Sequence, residues 1–222
     1  TRIHSMMVRE RRFTSDAAHE LRSPLTALKV QTDVAQLSLD DPGAQSKALG
    51  QLHAGIDRAS RLVDQLLTLS RLDSLDNLDD VEPVMMADLL QSAVLDIWHP
   101  AQQAGIDVRL NANAPEVMRH GQPLLLSLLA RNLLDNAVRY SPRGSVVDVT
   151  LNTQSFTVRD NGPGISTDAL TRLGERFYRP PGQDATGSGL GLSIVMRIAA
   201  LHGMRVSLGN APEGGFAVTV SW

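Results

Sequence analysis

The sequence predicts a multidomain α and α+β protein: an antiparallel helical hairpin followed by a two-layer α/β sandwich. Three observations predict it. The first third carries two heptad seams and no strand signal. Residues 73–82 are acidic and rich in turn formers. Beyond them, short alternating apolar runs are interleaved with amphipathic helical stretches.

In the first seam, Ala18, Leu21, Leu25, Leu28, Thr32, Ala35 and Leu39 recur in alternating steps of three and four. That is the spacing of a heptad stripe on a helix. Asp40, Asp41, Pro42 and Gly43 break it. The second seam is Leu49, Leu52, Ile56, Ala59, Val63 and Leu66. Two such helices joined by a short turn form an antiparallel hairpin. A lone hairpin leaves much of each stripe in water, so a homodimer closing a four-helix bundle is expected.

After the acidic stretch, residues 89–103, 123–140 and 192–202 read as helices. Residues 106–110 alternate as a strand. Val147, Val149 and Leu151 alternate with Asp148 and Thr150, and Phe156 and Val158 continue as a second strand. Two more strands close the chain at 206–208 and 216–220. The expected divisions are a dimerisation hairpin over 1–74, a linker over 75–83 and the sandwich over 84–222.

Composition excludes several classes. The 222 residues carry a net charge of -3, which gives no electrostatic footing for nucleic acid. There is no cysteine, so disulfides and thiolate metal sites are excluded. No apolar run approaches the roughly 18 residues of a membrane span. The chain opens on Thr1, Arg2 and Ile3 without a signal peptide. An excised fragment is expected, with any membrane anchor upstream of residue 1.

Five clusters stand out. His19 follows seam residue Ala18, so it lies about 100° around the helix from the seam and faces solvent. Glu20 beside it could take the proton from one ring nitrogen while the other attacks an electrophile. Pro24 has no N–H, so the Glu20 carbonyl loses its helical partner and a kink is expected. The fourth residue after His19 is Ser23, so the two-histidine zinc motif fails. His4, His53, His99, His120 and His202 have no such context.

Asn132 and Asn136 are spaced i, i+4 beside the apolar face of the 123–140 helix, with Arg139 and Tyr140 at its end. Two amide oxygens there could hold Mg²⁺ and phosphates. Asp160, Asn161, Gly162, Pro163, Gly164 and Ile165 end a strand. Asp160 shares parity with Phe156 and Val158, so its carboxylate points coreward and needs a donor; the exocyclic amine of adenine would supply one. Gly162 and Gly164 clear space for a base. Gly187, Ser188, Gly189, Leu190, Gly191 and Leu192 open a helix, whose free N–H groups favour an anion. Neither the dinucleotide fingerprint nor a P-loop fits: Leu192 stands where the former needs glycine, and no lysine follows the loop. Between the glycine clusters, Glu175, Arg176, Phe177, Tyr178, Arg179, Pro180, Pro181 and Gly182 suggest a mobile lid.

Together and in this order, these clusters resemble the HisKA-type sensor histidine kinases. His19 to Pro24 looks like the H box and Asn132 to Tyr140 the N box. Asp160 to Gly164 looks like the first G box, Arg176 and Phe177 the F box, and Gly187 to Gly191 the second G box. The resemblance implies a GHKL-type ATP-binding sandwich after a dimeric hairpin. It implies His19 as phosphoacceptor with Glu20 its base, Asn136 as Mg²⁺ ligand, and Asn132 and Arg139 near the phosphates. Tyr140 would pack beside the base, Asp160 would bind the adenine amine, and the glycine segment would close on the phosphates. A response regulator would receive the phosphoryl group. The chain would be the cytoplasmic portion of a bacterial inner-membrane sensor. Ser23 stands where many members carry Thr or Asn to dephosphorylate that partner; its hydroxyl keeps phosphatase activity in view. Two rival readings are an ATPase clamp of the same fold and a scaffold with a degenerate site. The clamp enzymes carry a water-activating Glu where this chain has Asn132, and the intact boxes oppose a scaffold.

Overall fold

The computed structural model describes residues 2–38, 40–180 and 187–222, with backbone alone for 2–13. The chain divides into two compact units, Thr1–Thr68 and Leu69–Trp222.

The first unit is built from α1 (Arg2–Leu37), which carries Pro24 inside it, and the body of α2 (Pro42–Ser74). Asp41 starts the second helix. Its Oδ1 accepts the backbone N–H groups of Gly43 and Ala44, both at 3.0 Å, and Pro42 follows with no N–H to satisfy. The helices approach closely at Gly55, where a Cβ would fall 2.7 Å from Leu28 Cδ2. The two seams divide. Leu28, Ala35, Leu52 and Ala59 are half-buried and Leu66 is buried. Leu25 stays 59% exposed, Leu49 43%, Ile56 46% and Val63 40%. One partner helix covers only one flank of a heptad stripe, so alternate seam positions remain in water. Leu39 lies outside the described residues.

In the second unit the main sheet has five strands in the order β2-β4-β5-β7-β6. These are β2 (Asp107–Ala112), β4 (Val146–Asn152), β5 (Ser155–Asp160), β7 (Phe216–Ser221) and β6 (Arg205–Asn210). Only the β2–β4 pair is parallel. Three helices form the second layer: α3 (Met86–Ala104) against β2, α4 (Pro123–Tyr140) against β4 and β5, and α6 (Gly191–Leu201) against β6. The alternation read in β4 and β5 points Val147, Val149, Leu151, Phe156 and Val158 into the core. Leu126, Leu129 and Leu133 of α4 and Ile194 and Ile198 of α6 are buried with them.

Three elements were not anticipated: β1 (Glu82–Met85), its antiparallel partner β3 (Met118–Gly121), and α5 (Thr167–Leu170). Each has four residues, too few for a periodicity to emerge. The end of α2 also belongs to the second unit: Leu69 and Leu72 are fully buried, and Arg197 on α6 donates to the Leu72 carbonyl.

His202 ties α6 to α4. Its Nε2 accepts the N–H of Gln122, the residue before α4, at 3.1 Å, and its Nδ1 lies 2.8 Å from the Ile198 carbonyl. A backbone N–H can only donate, so the ring proton sits on Nδ1.

Candidate nucleotide site and exposed histidine

Two turns of α4 and the start of α6 face each other. Pro123 opens α4 and the Leu-rich face fixes its rotation on the sheet, leaving Asn132 and Asn136 toward α6. Asn132 is buried, and its Nδ2 donates to the Leu128 carbonyl at 2.8 Å. That bond assigns the amide and turns Oδ1 outward from its own helix. A Cβ on Gly191 would lie 3.3 Å from Asn132 Oδ1, 3.3 Å from Asn136 Oδ1 and 3.2 Å from Asn136 Nδ2. One turn further along α4, a Cβ on Gly187 would lie 3.0 Å from the Tyr140 hydroxyl and 3.5 Å from Arg139. The four residues singled out on α4 therefore converge on both ends of the glycine segment. The helix that this segment opens has no side-chain cap at Leu190. Ser188 Oγ accepts the Leu190 N–H at 3.1 Å, and Leu190 itself is buried in the core.

At the end of β5, Asp160 is buried as its parity predicts. The protein supplies the donors. Oδ1 accepts the N–H groups of Gly162 at 2.8 Å and Phe216 at 3.1 Å. Oδ2 accepts from none of the described residues, so one carboxylate oxygen remains for a ligand. A Cβ on Gly162 would meet Asp160 Oδ1 at 2.9 Å and the Tyr140 carbonyl at 3.4 Å, which places this loop against the end of α4.

Arg176 and Phe177 lie on the segment before the glycine loop, with exposed Arg179 just after them. Phe177 has a φ of 63°, rare for a residue with a Cβ, and its N–H donates to the Gly189 carbonyl at 3.1 Å. Gly189, at φ 72°, lies so close that a Cβ would fall 2.6 Å from the Phe177 carbonyl carbon. The Arg176 guanidinium binds Asp73. Pro181 and Gly182 lie outside the described residues.

His19 and Ser23 are exposed on α1, and Glu20 is half-buried. They lie in the first unit and the nucleotide residues in the second.

Sequence reasoning missed two residues. Asn210, at the end of β6, accepts the Ile165 N–H at 2.8 Å and donates to the Ile165 carbonyl at 2.7 Å, clasping the Asp160–Ile165 loop. Ile165 is 45 residues away, so no local pattern reveals it. Gly215, at φ 87°, sits against the Asp160 carbonyl with no room for a side chain.

Residues 9–75 match the His Kinase A (phospho-acceptor) domain family. Residues 121–222 match the histidine kinase-, DNA gyrase B-, and HSP90-like ATPase family. The chain belongs to the sensor histidine kinases, a helical phospho-acceptor region followed by an ATP-binding domain. It is 77% identical over 222 residues to Sensor protein QseC of Salmonella typhimurium, covering all of this chain and 49% of that protein. It thus spans about half the length of the curated relatives it matches. A solved structure of the cytoplasmic segment of histidine kinase QseC is 63% identical, with a TM-score of 0.56, covering 75% of this chain and 93% of that one. Histidine kinase ThkA in complex with response regulator protein TrrA shares the fold at 19% identity and a TM-score of 0.78, covering 96% of this chain and 62% of that one. No helix among the described residues is long and apolar enough to cross a membrane.

Proposed function

We propose that this chain binds ATP in the second unit and transfers the γ-phosphoryl group to His19. The observation that carries the reading is the convergence of Asn132, Asn136, Arg139 and Tyr140 on the two ends of an uncapped glycine-rich helix start. Uncapped N–H groups and a nearby guanidinium suit the phosphates. Asp160 Oδ2 suits the adenine amine, and the Tyr140 ring suits the flank of the base.

The donor set fits Mg²⁺: Asn136 Oδ1 is a neutral hard oxygen at the phosphate end, and Asn132 Oδ1 stands beside it. Held by these residues, Mg²⁺ would supply charge neutralisation for the phosphate oxygens. A His19 ring nitrogen attacks the γ-phosphorus. The N–P bond forms as the bond to the bridging oxygen breaks, ADP departs, and the ring proton passes to Glu20. The phosphoryl group then moves from His19 to an aspartate of a response-regulator receiver domain, as the ThkA–TrrA pairing suggests. Ser23, exposed one turn from His19, would position a water that hydrolyses the aspartyl phosphate and releases inorganic phosphate.

The exposed residues Leu25, Leu49, Ile56 and Val63 support a homodimer in which a second hairpin covers them. Likeness to a solved cytoplasmic segment supports the cytoplasmic portion of an inner-membrane sensor.

The test is incubation with magnesium and γ-labelled ATP, then mapping of the modified residue. Acid-labile label on His19, absent in His19→Ala while nucleotide still binds, is the expected result. Persistent acid-labile label on that variant rejects the assignment.

A further inference from the structure

Two arginines from the nucleotide domain grip the end of α2. The last helical turn leaves carbonyls without helical partners. Arg197, on α6, donates from Nε to the Leu72 carbonyl at 3.1 Å and from a terminal nitrogen to the Leu75 carbonyl at 2.6 Å. A guanidinium there also suits the negative end of the helix dipole. In the same turn, both Asp73 oxygens accept from one Arg176 nitrogen, at 2.9 and 2.7 Å, and Asp73 Oδ1 lies 4.0 Å from Arg197 Nε. One carboxylate thus stands between two guanidinium groups.

These arginines belong to the two segments that frame the glycine loop. Arg176 immediately precedes Phe177, whose N–H holds the Gly189 carbonyl. Arg197 lies on the helix that Gly191 opens. Asp73 therefore connects to the candidate phosphate loop through Arg176, Phe177 and Gly189, and to the base of α6 through Arg197. Gly189 tolerates no side chain against the Phe177 backbone, so the last link has little slack.

We propose that Asp73 is a positioning residue for phosphoryl transfer: from the end of α2 it fixes the Arg176–Phe177 segment and, through it, the glycine loop. The proposal rests on the phosphotransfer reading above. It assigns work to a residue that the sequence shows only as the first of an acidic stretch.

The experiment uses the whole chain with magnesium and labelled ATP. It compares Asp73→Asn, Asp73→Glu, Arg176→Gln and the Asp73→Asn/Arg176→Gln pair. Expected for Asp73→Asn is a fall in the labelling rate at saturating ATP of about two- to thirtyfold, the range for residues coupled to a site without touching its ligand. Adenosine affinity should stay unchanged, since adenosine lacks the phosphates that the glycine loop would hold. Asp73→Glu keeps the charge and should recover part of the rate. The double variant should be no slower than Arg176→Gln, as for two members of one chain of contacts. A wild-type rate in Asp73→Asn, or losses that multiply in the double variant, overturns the proposal. So does a loss of rate that merely tracks the unfolded fraction seen in thermal unfolding. Absence of label in the unmutated chain would instead strike the phosphotransfer reading itself.

Discussion

Replacing Asp160 by Asn and by Ala should separate its structural role from its ligand role. Oδ1 accepts two backbone N–H groups, from Gly162 and Phe216, while Oδ2 accepts from none of the described residues. Asparagine keeps one carbonyl oxygen in the Oδ1 position, so both N–H groups stay satisfied. Its NH₂ group then stands where Oδ2 stood and faces the adenine amine donor to donor. A hydrogen bond to a charged group contributes about 1.5–3 kcal/mol, so nucleotide affinity should fall roughly ten- to hundredfold. Stability should change little. Alanine removes the acceptor altogether and strands two donors in the core, at about 1–3 kcal/mol each. It should therefore lose both affinity and several degrees of thermal midpoint. Isothermal titration with ADP and thermal unfolding, run on all three proteins, separate the two effects. Unchanged ADP affinity in Asp160→Asn, with the fold intact, would refute the ligand role.

Asn210→Ala should weaken nucleotide binding several-fold with a modest stability loss, because the Ile165 N–H and carbonyl lose their clasp; the same titration checks it. Gly189→Ala should abolish labelling of His19 while leaving the sheet folded. The added methyl meets the Phe177 backbone at 2.6 Å in a left-handed conformation, so circular dichroism should stay native while activity disappears. Ile56→Glu should shift sedimentation from dimer to monomer, since it places a charge in the middle of the exposed stripe. His202→Leu should lower stability by about 1–3 kcal/mol by leaving the Gln122 N–H without an acceptor, measurable by urea unfolding.

The parts legible in the sequence share a physical property: repetition over enough residues to set a period. The seams of α1 and α2, the Leu-rich face of α4 and the alternation through β4 and β5 each extend across several turns or pleats. The parity of β5 alone points Asp160 into the core, where it is buried. The i, i+4 spacing likewise placed Asn132 and Asn136 on one face. Contacts that join distant segments left no such trace. Asn210 reaches Ile165 across 45 residues and Arg176 reaches Asp73 across 103. Each is an ordinary polar residue at an ordinary turn until the sheet brings its partner alongside. The same limit explains the four-residue strands β1 and β3, which exist only as partners of each other.

Arg176 shows what the sequence withholds at a site it otherwise reveals. Its place beside Phe177 marks it for the nucleotide, yet its guanidinium rests on a carboxylate at the end of α2. Both groups are about one-third exposed, so the pair alone contributes little to stability. A weak pair can nonetheless govern geometry when the next contact is stiff. Here that contact is Phe177 on Gly189, where a φ of 63° and a missing side chain leave one close fit between two backbones. A small displacement of Asp73 therefore reaches the glycine loop instead of dissipating in a flexible side chain. Phosphoryl transfer depends chiefly on positioning, so this coupling should register as a change in rate far more than in stability or nucleotide affinity.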